Sequence, residues 1–358
     1  MRRFAFLAIA FILPILPAGA QEAPSRAAVV AATIDRVIRP GYAALAEAAR
    51  DAHGRAEAAC AAPSPEALAQ LREGFAALVA AHARIEPIRF GPVAEDNRIE
   101  RWLLWPDRRG IALRQVQDAL GRQDATVLDP AALGRKSVAL QGLTALEYLL
   151  YGDGAQALET GAGDFRCRFA LSILTRMAEM GASLSAEWAE GAPIVRRMTH
   201  PSPDDARYRS DTEALEEIFA AAAHGLELVR DVRLRPGLGK PGEEPKPQLF
   251  LFRRSGLTGA ALSANVDGLS TLLSEGGLFT LLPPASQWAG PSIGLEFETA
   301  GRILASLDRP VPDLVETPEG RSRLESVAIA VRGVETVLSG EVAPALGLSA
   351  GFSSLDGD

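Results

Sequence analysis

Apolar residues recur at spacings of three and four along nearly the whole 358-residue chain, and no stretch alternates apolar and polar residues convincingly. A period near 3.6 gives each segment one apolar stripe, which suits a helix packed on other helices and offers nothing to a half-buried sheet. Alanine and leucine dominate, aromatic residues make up only 6%, and β-branched runs are short, so local preference agrees with the pattern. With 47% apolar and 23% charged residues, the chain can bury a large core as one large or two moderate domains, and general disorder is excluded.

Prolines, glycines and caps divide the pattern. Helices are expected over 25–39, stopping near Pro40-Gly41, and over 42–61. Ser64-Pro65-Glu66 combines a capping serine, a proline at the first helical position and an acid in the first turn, and opens a helix reaching about Arg84. Residues 86–98 read as irregular. Further helices fit 98–104, 110–122, 135–151, 164–190, 207–231, 254–275, 291–307 and 318–339, with 235–247 as a loop. Residues 191–206 hold three prolines and mark the best boundary. The expected architecture is all-α: an N-terminal helical bundle over 21–190, a linker over 191–206, a C-terminal helical bundle over 207–346 and a non-helical tail over 347–358. Gly-Leu-Thr occurs at 142–144 and again at 256–258, which fits a duplicated four-helix-bundle-like unit and also fits chance.

The first twenty residues read as an address. A basic Met1-Arg2-Arg3, an apolar run from Phe4 to Leu16 and the small-x-small Ala18-Gly19-Ala20 form a secretory signal peptide over 1–20, the alternative being a retained anchor. No later segment has the roughly 18 apolar residues of a spanning helix. Export to the periplasm is expected. There Cys60 and Cys167 are expected to pair, the alternative being two buried thiols.

Several chemistries are excluded. The formal charge of −8 disfavours phosphate backbones, so nucleic acid is not an expected partner. His53, His82, His200 and His224 form no H-E-x-x-H, and there is no C-x-x-C, G-x-S-x-G, P-loop or placed G-x-G-x-x-G.

One helix carries an anomaly. Leu140, Leu143, Thr144, Glu147 and Tyr151 share a face, so the Glu147 carboxylate sits among apolar neighbours and needs a partner. Gly142 within that helix costs about 1 kcal/mol against alanine and suggests close approach of another element. Glu147 then faces a ligand in a crevice or forms a structural pair with an arginine. Arg98, Arg101, Trp105 and Asp107 cluster at a helix end, where arginine forks could hold Glu147 or an acidic ligand. Arg114-Gln115 adds a polar pair on the next helix. In the tail, Ser353, Ser354 and Asp356 supply oxygens that could line a pocket or bind a hard cation, the alternative being a frayed terminus.

The order of Arg89-Phe90-Gly91-Pro92, Trp105-Pro106-Asp107, Arg114-Gln115, the Gly142-to-Gly152 helix and the terminal Gly351-Phe352-Ser353-Ser354-Leu355-Asp356-Gly357-Asp358 resembles the imelysin-like family. The resemblance runs from about residue 25 to 358. It implies two helical halves with a site between them, a periplasmic or outer-membrane setting and a role in uptake of iron or another metal. The family's G-x-H-x-x-E motif corresponds to Gly142-Leu143-Thr144-Ala145-Leu146-Glu147, with threonine in place of histidine. A hydroxyl is a poor zinc or iron ligand beside imidazole or carboxylate, so Glu147 is the one motif residue left to hold a divalent metal or iron. The expectation is therefore a non-catalytic envelope binding protein for a small ligand, a metal complex or an envelope protein. The alternatives are a metallopeptidase and a protein-interaction scaffold.

Overall fold

The computed structural model of the chain describes residues 25–349 except 108 and 241, so the expected signal peptide over 1–20 and most of the expected tail lie outside the described residues. Among the described residues every regular element is helical. None of these helices is long and apolar enough to cross a membrane.

Helix α1 starts at Ser25, whose hydroxyl accepts from the Ala28 amide at 3.1 Å. It does not stop at Pro40-Gly41 as expected. It runs as Arg26–Thr33, a π turn over Ile34–Ile38, and Arg39–Ala61. Proline lacks an amide hydrogen and its ring collides with the carbonyl four residues earlier, so a helix that continues must widen there. Gly41 is a packing residue: a Cβ would stand 2.5 Å from Ile85 Cδ1. The same adjustment recurs as Leu228–Leu234 before Pro236 and Leu338–Val342 before Pro344. The expected loop at 235–247 accordingly begins with helix, Arg235–Leu238.

Helix α2, Pro65–Ile85, is capped by Ser64 as its sequence signals, and packs along α1. The main further helices of this half are α3, Arg98–Trp102; α4, Ile111–Arg122; α5, Gly142–Tyr151; and α6, Asp164–Glu187, with a single turn over Pro130–Leu133 between α4 and α5. Helix α6 lies along α1, and the Cys60–Cys167 disulfide joins the end of one to the start of the other, with Cα atoms 5.6 Å apart. Within 191–206, α7, Pro193–Thr199, buries Val195 and Met198.

The second half contains α8, Asp211–Glu227 with its π and terminal extensions; α9, Thr258–Ser274; α10, Ala289–Ala305; and α11, Pro318–Val337 with its own. Helices α10 and α11 pack together, α9 lies on α10, and α8 touches α11.

The halves meet where α2 crosses α9. A Cβ on Gly268 would stand 2.0 Å from the Arg84 carbonyl oxygen, so the backbones nearly touch. Beside that crossing Glu86 is buried with Arg233 and Asn265. Its carboxylate accepts from Arg233 Nη2 and, at 3.0 Å, from Asn265 Nδ2, which also donates to Ala83 O at 2.7 Å. Burial would raise the Glu86 carboxyl, but Arg233, His82 and Asn265 outweigh it and hold it below the usual range. Burial pushes the neighbouring His82 imidazole down to about 4.

Candidate functional site

Two clefts open near the junction, with Trp105 in the wall of both. One holds about 470 Å³ and is lined by Arg89, Phe90, Leu104, His224 and Arg233. The other holds about 160 Å³ and contains Glu147.

The wall of the smaller cleft is built from α3 onward. After Trp102 the chain extends through a cis Trp105-Pro106 bond to Asp107. Asp107 then caps α4, its two oxygens accepting from the Ile111 and Ala112 amides at 2.7 and 2.9 Å. Both oxygens are thereby engaged at a helix N-terminus, where a carboxylate is favoured.

Helix α5 starts at Gly142 rather than near residue 135, because Val138–Leu140 is a short 3₁₀ turn. Gly142 has φ +71°, and a Cβ there would lie 2.5 Å from the carbonyl oxygens of both Arg101 and Trp102. The expected close approach is present, and the helix is pinned against the end of α3. Five residues on, Glu147 is only 4% exposed.

The partner of Glu147 is not an arginine. Its Oε1 accepts from the Ser255 amide at 2.9 Å and the Ser255 hydroxyl at 2.8 Å. The hydroxyl also lies 3.1 Å from Phe252 O, and one proton cannot serve both acceptors, so the amide is the constant bond. Ser255 belongs to a tight turn ahead of α9. In that turn Phe252 has φ +57°, a costly conformation for a bulky side chain. Packing maintains it: Phe252 is buried edge-to-face against Phe75, with ring centroids 6.2 Å apart. The turn directs Arg253, Arg254 and Ser255 to the cleft.

Other polar groups converge there. Thr144 Oγ1 and Trp105 Nε1 are buried without hydrogen-bond partners, although buried polar atoms are normally paired. The Tyr148 hydroxyl accepts from Gln117 Nε2 at 3.0 Å, and the Arg254 guanidinium lies 5.4 Å from the Tyr148 ring centre. Arg253 is held below the usual arginine range, first by burial and then by Arg254, with Glu147 opposing.

Of the expected site residues, the structure brings Trp105, Asp107, Thr144 and Glu147 to one cleft. Arg98 instead pairs with Glu187 at 2.6 Å. Arg101 braces loops, donating to Asp96 O, Gly134 O and Gln141 Oε1. Arg114 donates to Arg109 O, Gln115 is half-buried on α4, and Gly142 supports α5 from below the cleft. Ser353, Ser354 and Asp356 lie outside the described residues. Ser255, Arg253, Arg254 and Tyr148 were not expected. The apolar Phe250-Leu251-Phe252 run followed by Arg-Arg-Ser-Gly was the available signal, obscured by starting the helix at 254.

The donor set does not fit a resident transition metal. Glu147 offers one carboxylate with an oxygen already engaged by the Ser255 amide and hydroxyl, Asp107 is spent, and Thr144 adds a hydroxyl. Among the described residues no three His, Cys, Asp or Glu side chains gather closely enough to hold a metal ion. Zinc and iron sites are built from several imidazole, thiolate or carboxylate donors.

Fold and site define an all-helical protein of two packed bundles with a small polar cleft at their junction. The Imelysin family model, Peptidase M75, matches residues 38–338, and the chain belongs to that family. Among solved structures, an imelysin-like protein from Psychrobacter arcticum 273-4 superposes with a TM-score of 0.76 at 18% identity, covering 92% of this chain and 98% of its own. The protein described as an iron-regulated protein A precursor from Parabacteroides distasonis ATCC 8503 gives a TM-score of 0.71 at 15% identity, with the same coverages. A comparison with curated protein sequences finds no match.

Proposed function

We propose that this imelysin-family protein is an exported binding protein of the cell envelope, which holds a small ligand in the cleft around Glu147 without catalysing its conversion. The observation that carries the reading is the partner of Glu147. A plain arginine pair in a packed core would make the carboxylate structural. Instead Glu147 is held by a residue of the other half, at the floor of a cleft where further polar groups lack partners. Thr144 in place of the motif histidine removes the imidazole that a zinc-activated water would require, which favours binding over peptidase activity. A link to iron or another metal is supported by the description of the Parabacteroides protein and by the family resemblance. The apolar, small-residue-ended segment 1–20 supports export to the periplasm.

The test is a thermal-shift and tryptophan-fluorescence screen of the mature chain. The panel holds divalent metals, ferric iron, their carboxylate chelates and free organic acids. At least one compound is expected to raise the Tm of the wild type and not of Glu147→Gln. Cleavage of unfolded casein, lost in Glu147→Gln, would overturn the non-catalytic reading.

A further inference from the structure

Arg253 and Arg254 are consecutive, both line the Glu147 cleft, and neither is ion-paired to a described residue. In the same half Arg230 is spent on Asp231 and Glu335, Arg233 on Glu86 and Arg235 on Asp231, while Arg302, Arg309 and Arg332 are in no ion pair with a described residue but do not line this cleft. Among the described residues Arg254 has no hydrogen bond or ion pair, and its guanidinium lies over the face of Tyr148. A cation over a ring face is attracted by its π electrons without using an N–H group, and the Arg254 N–H groups have no acceptor among the described residues. The two cations repel each other, and Glu147 offsets this for Arg253 only in part, its effect ranking behind burial and Arg254. Asp107 is committed to the start of α4, and the bonded oxygen of Glu147 to Ser255. Phe252, buried against Phe75, anchors the turn that carries the pair, with Arg253 exposed and Arg254 half-buried at the cleft wall. Unspent donors at Trp105 Nε1 and Thr144 Oγ1 stand in the same wall.

Two adjacent guanidinium forks with no internal acceptor suit an oxyanion carrying more than one negative charge. We infer that the cleft recognises a multiply charged oxyanion, a polycarboxylate or a phosphate, through Arg253 and Arg254. The inference rests on the reading of the Glu147 cleft as a ligand site and names the ligand's chemistry. It also resolves the mismatch in donors. A metal that arrives inside an anionic carboxylate chelate brings its own ligands, and the protein needs only to grip the chelator's outer oxygens. Glu147 then orders the Ser255 turn and marks the end of the cleft that a carboxylate avoids.

The experiment is isothermal titration of the mature chain with citrate, ferric citrate and inorganic phosphate, on wild type, Arg253→Gln, Arg254→Gln and the double variant. Circular dichroism and Tm serve as fold controls, since neither arginine carries a hydrogen bond to a described residue. Citrate or ferric citrate is expected to bind, about tenfold or more weakly for each single variant and undetectably for the double, with affinity falling as NaCl rises. Tighter binding of phosphate, lost in the same variants, supports the oxyanion assignment and identifies phosphate as the source. No binding of any of the three at millimolar concentration, or binding equal in wild type and the double variant, overturns it. A different compound from the wider screen that depends on Glu147 but not on the arginines would overturn this inference and leave the cleft reading standing. Loss of every Glu147-dependent effect would remove the cleft reading itself.

Discussion

The Ser255 amide and the Glu147 carboxylate stand 2.9 Å apart although 108 residues separate them in the chain. One belongs to the turn ahead of α9 and the other to α5, so this charge-assisted amide bond, with the Ser255 hydroxyl beside it, ties the second half to the first at the cleft. Hydrogen bonds to a charged group contribute about 1.5–3 kcal/mol. Glu147→Leu, which removes the acceptor that a glutamine would keep, is therefore expected to lower unfolding free energy by about that amount. Ser255→Ala, which keeps the amide bond, should cost only about 0.5–1.5 kcal/mol. Urea titration of both variants checks the order; an equal loss would contradict the primacy of the amide.

The Cys60–Cys167 bond closes a long loop, the two residues being 107 apart. In the chain-entropy model such a crosslink stabilises by about 4–5 kcal/mol, because it restricts the unfolded chain. Reduction, or the Cys60→Ser/Cys167→Ser pair, should shift the urea midpoint strongly downward with the helical spectrum retained. An unchanged midpoint would mean that the unfolded chain is already compact in this region.

His82 links stability to pH. Its folded pKa of about 4 lies below the ordinary 6.5, so the folded protein holds it neutral while the unfolded chain protonates first. The contribution is complete above about pH 6.5 and is lost as pH falls from there towards 4, at up to about 1.4 kcal/mol per unit. Denaturant titrations over that window should show the slope, and His82→Phe should flatten it. A slope retained in full by that variant assigns it to other groups.

Glu86 and Arg233 are buried together, so removing one leaves the other uncompensated. Arg233→Met is expected to cost about 3–5 kcal/mol. The double change Glu86→Leu/Arg233→Met should cost less than that single change. A double-mutant cycle measures this, and simple additivity would show that the pair is not coupled.

The helices were legible because each has a continuous apolar stripe, and Ser64-Pro65-Glu66 marked the start of α2 to the residue. The anomaly at Glu147 was visible as a carboxylate on an apolar face. Its partner was not, since Ser255 has no periodic relation to α5 and sits in a turn whose shape depends on Phe75 packing against Phe252. The arginine cluster near 98–107 looked like the natural counter-charge, yet Arg98 and Arg101 turn to Glu187 and to loop carbonyls. Which arginine meets which acid depends on the crossing of whole helices, and local spacing carries no information about that. Pro40 misled for the opposite reason: the local rule is sound, but tertiary packing on both sides of the proline repays the widened turn.

That widened turn in α1 acts as a phase shifter. An extra residue in one turn rotates everything downstream by about 100° relative to what came before, at 3.6 residues per turn. The apolar stripe of Arg26–Thr33 and that of Arg39–Ala61 therefore need not point the same way, and they do not serve the same neighbours. The first stretch packs on α8, the second on α2 and α6. One rod thus reaches both bundles, and the insertion lies between the stretch that packs on one and the stretch that packs on the other.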